Sequence, residues 1–230
     1  MKIGGLQKLT LLDYPQNVAA TVFFEGCNFR CPFCHNASLV IGHDEENYID
    51  QKDFFAFLEK RHGILDGVCI TGGEPLINVE IFDFIAKIKA MGFKVKLDTN
   101  GSFPDRLKFL LDEGMLDYIA MDIKNSKEKY GFTSGVKEFN INPIEKSVEI
   151  LMNGKAPYEF RTTFVREHHQ AEDVEKIGAW IKGALKYRLQ GFVDSGNLIG
   201  SGQRGFSYDE MQEFKKIAQK YIPDVEIRGY

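Results

Sequence analysis

A short β-rich run followed by a helical pattern recurs six times along this chain of 230 residues. That alternation points to a parallel α/β sheet. Strands are expected at Val18–Phe24, Gly67–Thr71, Phe93–Leu97, Tyr118–Ile123, Tyr158–Val165 and Tyr187–Val193, with a short terminal one at Val225–Arg228. Helical periodicity, caps and glycine stops place helices at Asp53–Lys60 behind Asp50, Asn78–Met91 and Asp105–Glu113. Others follow at Asn142–Met152, Ala171–Leu185 and, behind the capping box Ser207/Glu210, up to Tyr221. Residues 1–16 read as an N-terminal extension with a short strand at Leu9–Leu12 and a turn at Asp13–Gln16; residues 17–230 read as one domain. Segments 37–49 and 125–140 read as irregular, and 195–205 as a Gly-rich loop.

Six units are too few to close an eightfold barrel. Chemically unusual residues fall at the C-terminal ends of successive strands: three cysteines after the first, Gly72-Gly73-Glu74-Pro75 after the second, Asp98-Thr99-Asn100-Gly101 after the third, Asp122 and Lys124 at the fourth. A β/α barrel gathers such ends on one face, whereas a doubly wound sheet has a crevice at one switch point. The expected fold is therefore an α/β incomplete (β/α)6 parallel barrel.

Cys27, Cys31 and Cys34 are spaced C-x3-C-x2-C. Three thiolates so close in sequence can hold one metal centre. A four-iron cluster normally takes four cysteines, so three leave one iron open for chemistry. Two other readings stay open on spacing alone: a zinc site, which needs a fourth ligand beyond the adjacent His35, and a redox pair Cys31/Cys34, which leaves Cys27 unexplained. The fourth cysteine, Cys69, lies in an apolar run and reads as a small buried hydrophobe. Clustered free cysteines suit a reducing compartment, the cytoplasm. A net charge of −4 without a basic stripe argues against nucleic acid, and no apolar run is long enough for a membrane span.

The cysteine spacing with Gly72-Gly73-Glu74 resembles the radical S-adenosylmethionine (SAM) superfamily. The resemblance implies a [4Fe-4S] cluster on Cys27, Cys31 and Cys34, with SAM chelating the open iron. An electron then cleaves the sulfonium to methionine and a 5′-deoxyadenosyl radical. It also implies roles for this chain's residues: Gly72 and Gly73 for close backbone approach, Glu74 for the SAM amino group, Phe33 against the adenine, and Lys124 for the carboxylate or ribose.

Within the superfamily, Gly26–Asn36, Asp98–Gly101 and Met121–Lys124 are similar to pyruvate formate-lyase activase. That resemblance makes Asp98, Thr99 and Asp122 candidates for a monovalent cation near SAM. Leu12-Asp13-Tyr14-Pro15 is most similar to anaerobic ribonucleoside-triphosphate reductase activating proteins. Both groups usually carry glycine where this chain has Gln16, so that turn is expected to differ. From His35 to Thr71 the only cysteine is Cys69, which leaves no room for an accessory cluster.

The resemblance implies an enzyme that takes a Cα hydrogen from glycine in a large glycyl-radical enzyme subunit, with a flavodoxin or ferredoxin-type electron donor and no membrane or nucleic-acid partner. The alternatives are a radical SAM enzyme acting on a small molecule and a non-enzymatic iron–sulfur or zinc module. His168 and His169 read as solvated loop histidines. The loops at 125–140 and 195–205 are expected to be available to a protein partner.

Overall fold

The computed structural model describes residues 1–42 and 48–230. Among these residues eight strands form one sheet in chain order: β1 (Ile3–Thr10), β2 (Ala19–Phe24), β3 (Gly67–Gly72), β4 (Lys94–Thr99), β5 (Tyr118–Asp122), β6 (Tyr158–Phe164), β7 (Tyr187–Gly191) and β8 (Val225–Arg228). The order runs from β1 to β8 without return, so the sheet is unclosed. The helices are α1 (Ala37–Ile41), α2 (Gln51–Glu59), α3 (Ile81–Ala90), α4 (Pro104–Asp112), α5 (Tyr130–Ser134), α6 (Asn142–Asn153), α7 (Ala171–Trp180) and α8 (Tyr208–Ala218). Setting aside the short α1 and α5, each of β2 to β7 is followed by a helix. This is the incomplete (β/α)6 arrangement that the alternation predicts.

The chain divides into two compact units. The first comprises residues 1–28, 38–99 and 105–119. Here β2 runs parallel to β3, from Ala19 opposite Gly67 to Phe24 opposite Gly72, and β3 runs parallel to β4. Strand β2 is buried at nearly every position, as an apolar run in a parallel sheet requires. Helices α2 and α3 cover it with aromatic rings: Phe24 meets Phe84 edge-on at 5.2 Å, and Phe54 stacks on Phe84 at 5.0 Å. The Asp50 carboxylate caps α2 by accepting the Lys52 N–H at 2.7 Å.

Several expectations are corrected here. The N-terminal strand is Ile3–Thr10, antiparallel to β2, and Leu11 and Leu12 lie exposed beyond it. Two glycines and the polar pair Gln7-Lys8 hide the strand in the sequence; its partner supplies the ladder. Residues 37–41 are helical, while 43–47 of the expected irregular segment lie outside the described residues. Asn78 does not cap α3. It ends a 3-10 turn at Pro75–Ile77, and α3 starts after Glu80. Gln16 has φ 62°, the left-handed conformation that glycine adopts freely. The chain therefore keeps a glycine-type turn with a side chain in it.

The second unit comprises residues 29–37, 100–104 and 120–230. Strand β6 runs parallel to β7, and β7 to β8. Their apolar faces include Phe160, Phe164, Tyr187 and Leu189, all buried with α7 and α8 residues Val174, Ile177 and Met211. The alternate positions are polar, most of them charged. Arg188 reaches Asp224 at 2.7 Å and Glu226 at 3.1 Å, and Arg228 reaches the buried Glu159 at 3.0 Å. Helix α8 opens with the Ser207/Glu210 capping box that the sequence shows, and α7 with a second box, Gln170/Asp173. The segment 125–140 is not a plain loop, since it contains a 3-10 turn at Lys127–Lys129 and α5. Tyr130, Thr133 and Ser134 are buried there, a consequence of tertiary packing and not of any strong helical period.

Candidate active site

The cysteine loop starts in the first unit. The Gly26 N–H donates to Leu39 O at 2.8 Å, and the Glu74 N–H donates to Gly26 O at 2.8 Å. The Gly73 N–H donates to Phe24 O at 2.8 Å. The end of β3 is thus laid against the backbone that enters Cys27. This explains the paired glycines. At Gly72 (φ 118°) a Cβ would lie 2.4 Å from the Phe24 backbone, and at Gly73 it would lie 2.0 Å from Gly26 O. The close approach expected of the pair is made by Gly72 to the end of β2 and by Gly73 to the cysteine loop.

The rest of the loop belongs to the second unit. The Arg30 N–H donates to Ser134 O at 2.8 Å, and the Gly200 N–H to Pro32 O at 2.7 Å. Gly135, at φ 70°, passes so close that a Cβ would meet Arg30 O at 2.2 Å. Phe29 packs on Phe139 and Tyr130 with centroids 5.7 and 6.5 Å apart. The segments 125–140 and 195–205 therefore grip the cysteine loop in addition to any exposed surface they offer.

All four cysteines are free thiols; Cys31 is buried, Cys27 and Cys34 half-buried. The Cys34 N–H donates to Cys31 O at 3.0 Å, closing a turn between the last two thiols. Among the described residues no three His, Cys, Asp or Glu side chains are set to hold a single metal ion. A four-iron cluster, by contrast, takes one cysteine per iron.

Glu74 is fully buried. Its Oε1 accepts the Leu76 N–H at 3.1 Å and the Thr99 hydroxyl at 2.9 Å, which fixes the carboxylate and ties β4 to the Gly-Gly-Glu turn. Asp98 is ion-paired with Lys96, and its other oxygen accepts the Thr71 hydroxyl at 3.4 Å. Cys69 is buried as expected, but its surroundings are not purely apolar: Lys96 Nζ lies 3.7 Å and Asp98 Oδ1 3.8 Å from its Sγ.

In the second unit, Asp122 accepts from Lys124 Nζ at 3.0 Å and from Arg161 Nε at 2.9 Å. Burial works to raise its pKa, but Arg161 and then Lys124 outweigh it and hold the carboxyl at about 2. Burial would likewise lower the Lys124 pKa, and Asp122 reverses the direction. Lys124 is therefore a charged lysine seated against a carboxylate.

The histidines are where the sequence reading fails. His168 and His169 are buried, not solvated. His169 Nε2 lies 2.8 Å from Lys124 O, and its Nδ1 lies 3.1 Å from the Val165 N and 3.2 Å from Val165 O. Burial lowers its pKa to about 4. Both imidazoles back the buried ring of Phe33, with centroids at 5.3 and 6.3 Å. Arg161 and Lys96 also escaped notice. Lys96 had a usable signal: two residues before Asp98 in a strand, it shares a face with it.

Comparison with known proteins agrees with this geometry. The sequence profile of the Radical SAM superfamily matches residues 21–166. A Methanocaldococcus jannaschii protein named as a glycyl-radical enzyme activating enzyme is 32% identical over 98% of this chain and 95% of its own length. A second so named from the same organism is 27% identical over 95% of this chain and 79% of its length. A Saccharolobus islandicus protein named as a GTP 3′,8-cyclase is 30% identical over 88% of this chain but 64% of its own length. Among solved structures, Streptococcus suis SuiB bound to precursor peptide SuiA superposes with TM-score 0.72 at 12% identity, over 91% of this chain and 48% of SuiB. The protein anSMEcpe with bound AdoMet gives TM-score 0.57 at 17% identity, over 74% and 50% of the two chains. With the profile covering most of the chain and the cysteine loop locked to Gly-Gly-Glu, the protein belongs to the radical SAM superfamily.

Proposed function

We propose that this protein is a glycyl-radical-enzyme activase. It is supported most by the 32% identity, over nearly the whole of both chains, to a protein named as such. In this reading Cys27, Cys31 and Cys34 hold a [4Fe-4S] cluster. Gly72, Gly73 and Glu74 receive the amino-acid end of SAM, Phe33 the adenine, and Lys124 an anionic or hydroxyl group. When bound, the cluster and SAM supply a one-electron cleavage whose adenosyl product takes a hydrogen atom from substrate, leaving methionine, deoxyadenosine and a substrate radical.

The chain's own contribution is placement. The bonded Gly26–Glu74 segment fixes where Glu74 stands relative to Cys27, and His169 holds the Lys124 backbone carbonyl. The substrate is a glycine Cα–H in a large partner subunit. Leu12-Asp13-Tyr14-Pro15 favours anaerobic ribonucleoside-triphosphate reductase as that partner. Asp13 and Tyr14 are built into the first unit, Asp13 accepting the Thr21 hydroxyl at 2.6 Å. The electron donor is a flavodoxin or ferredoxin, and the setting a reducing cytoplasm. Among the described residues no helix is long and apolar enough to cross a membrane.

The test is anaerobic. Reduced protein, SAM and a candidate reductase subunit are mixed and frozen for EPR. A glycyl doublet on the partner, with deoxyadenosine released in proportion, is expected. SAM cleavage without a radical on any glycyl-radical enzyme of the same cell would sink the activase reading. A second reading, a radical SAM enzyme acting on a small molecule, draws on the 30% identity to the protein named as a GTP cyclase. It predicts deoxyadenosine formation that depends on a small substrate and not on a protein.

A further inference from the structure

Resting on the SAM-binding reading above, we propose that this chain works without a monovalent metal cation, because its own lysine and arginine side chains already neutralise the carboxylates that a cation would need. The resemblance to pyruvate formate-lyase activase made Asp98, Thr99 and Asp122 candidate cation ligands. The donor set does not fit that role.

Each candidate is engaged. Asp98 Oδ1 is ion-paired with Lys96 Nζ, and both side chains are largely withdrawn from water, 2% exposed for Lys96 and 13% for Asp98. The register of the sheet sets Lys96 opposite Cys69, which places the ammonium between a carboxylate and a thiol. Asp98 Oδ2 accepts from Thr71. Thr99 donates its hydroxyl proton to Glu74, which leaves only a neutral oxygen to offer a cation. Both oxygens of Asp122 are met, one by Lys124 and one by Arg161.

A metal ion brought to either aspartate would sit beside a fixed positive charge in a partly dry environment, where like charges repel far more strongly than in water. It would also displace donors already at hydrogen-bond distance. An ammonium two residues away on the same strand face performs the neutralising task permanently. Lys96 is therefore a positioning residue: it holds Asp98 fixed in an ion pair, with no demand on the ionic composition of the medium.

The experiment has an arm that needs no SAM. Cluster-loaded protein is titrated with thallous ion, a potassium mimic followed by thallium NMR, in a tetramethylammonium background. No saturable site is expected; saturable binding that disappears in Asp98→Asn or Asp122→Asn overturns the proposal. In the second arm, SAM affinity is measured by calorimetry in tetramethylammonium chloride and in potassium or sodium chloride of equal ionic strength. Agreement within about twofold is expected, and a gain of about tenfold with either metal, equivalent to roughly 1.4 kcal/mol, overturns it.

Lys96→Met should create a potassium response of about tenfold that Lys96→Arg lacks. A folded Lys96→Met protein indifferent to potassium would remove Lys96 from the explanation. If Lys96→Met does not fold, the two wild-type arms still decide. Absence of SAM binding in every medium would strike the SAM reading, while the thallium arm would still report on the cation.

Discussion

The contact between Gly73 and the cysteine loop sets up a sharp test, Gly73→Ala. An alanine Cβ at this position would stand 2.0 Å from Gly26 O, 2.6 Å from Gly26 C and 3.3 Å from Cys27 N, where ordinary contact begins at 3.4 Å. The offending atoms are backbone, so no side chain can swing away. Either β3 or the entry to Cys27 must move by about an ångström. Overpacking of this kind costs about 1–3 kcal/mol. The shift also strains the Glu74 N–H bond to Gly26 O, worth about 1 kcal/mol more. The sum, roughly 2–4 kcal/mol, is a large part of the stability of an ordinary domain.

Urea unfolding of the cluster-free protein should show it. With a slope of about 2 kcal/mol per molar, the midpoint should fall by about 1–2 M. After anaerobic reconstitution, iron per chain should drop, since Cys27 is carried by the displaced segment. The control is Gly63→Ala, where φ is 75° but no atom lies within 4 Å of the new Cβ. It should lose only the left-handed penalty of about 1–2 kcal/mol and bind iron normally. If Gly73→Ala matches the control in midpoint and iron content, the close approach is not what the glycine serves.

Three further outcomes are expected. Cys69→Ala should keep the full iron content and visible absorbance of the reconstituted protein; loss of the cluster would return Cys69 to the ligand set. His169 enters through pH: its folded pKa of about 4 lies below the ordinary 6.5, so the unfolded chain takes up a proton that the folded chain refuses, and stability falls as pH drops from 6.5 to 4. The contribution is about 3 kcal/mol, and in His169→Asn unfolding curves across that window should be flatter by this amount; equal slopes would refute the assignment. Gln16→Gly should raise stability by about 0.5–1 kcal/mol, as relief of the left-handed strain at φ 62° exceeds the entropy cost of glycine. A lower melting temperature would count against it.

What was legible in the sequence was whatever local chemistry dictates. Strand and helix periods placed β2 to β8 and the six major helices within a few residues, because alternation and amphipathic spacing follow from backbone geometry alone; the exception is α7, which ends at Trp180 and not at the expected Leu185. The Ser207/Glu210 cap and the glycine pair before Glu74 were visible for the same reason. The three cysteines pointed to a metal centre because they are close in sequence. Tertiary structure decided the rest. Asn78 was free to be a cap until Pro75–Ile77 took up a 3-10 turn whose carboxylate cap is Glu74. His168 and His169 look like surface residues in a polar stretch, yet tertiary packing buries both, and that burial lowers their pKa values. Lys96 and Asp98 were each readable as a surface charge or a ligand; only the sheet, by drawing Cys69 and Thr71 alongside them and removing water, makes them a locked pair. Periodicity says which face a side chain takes, but its charge state and partners depend on what that face meets.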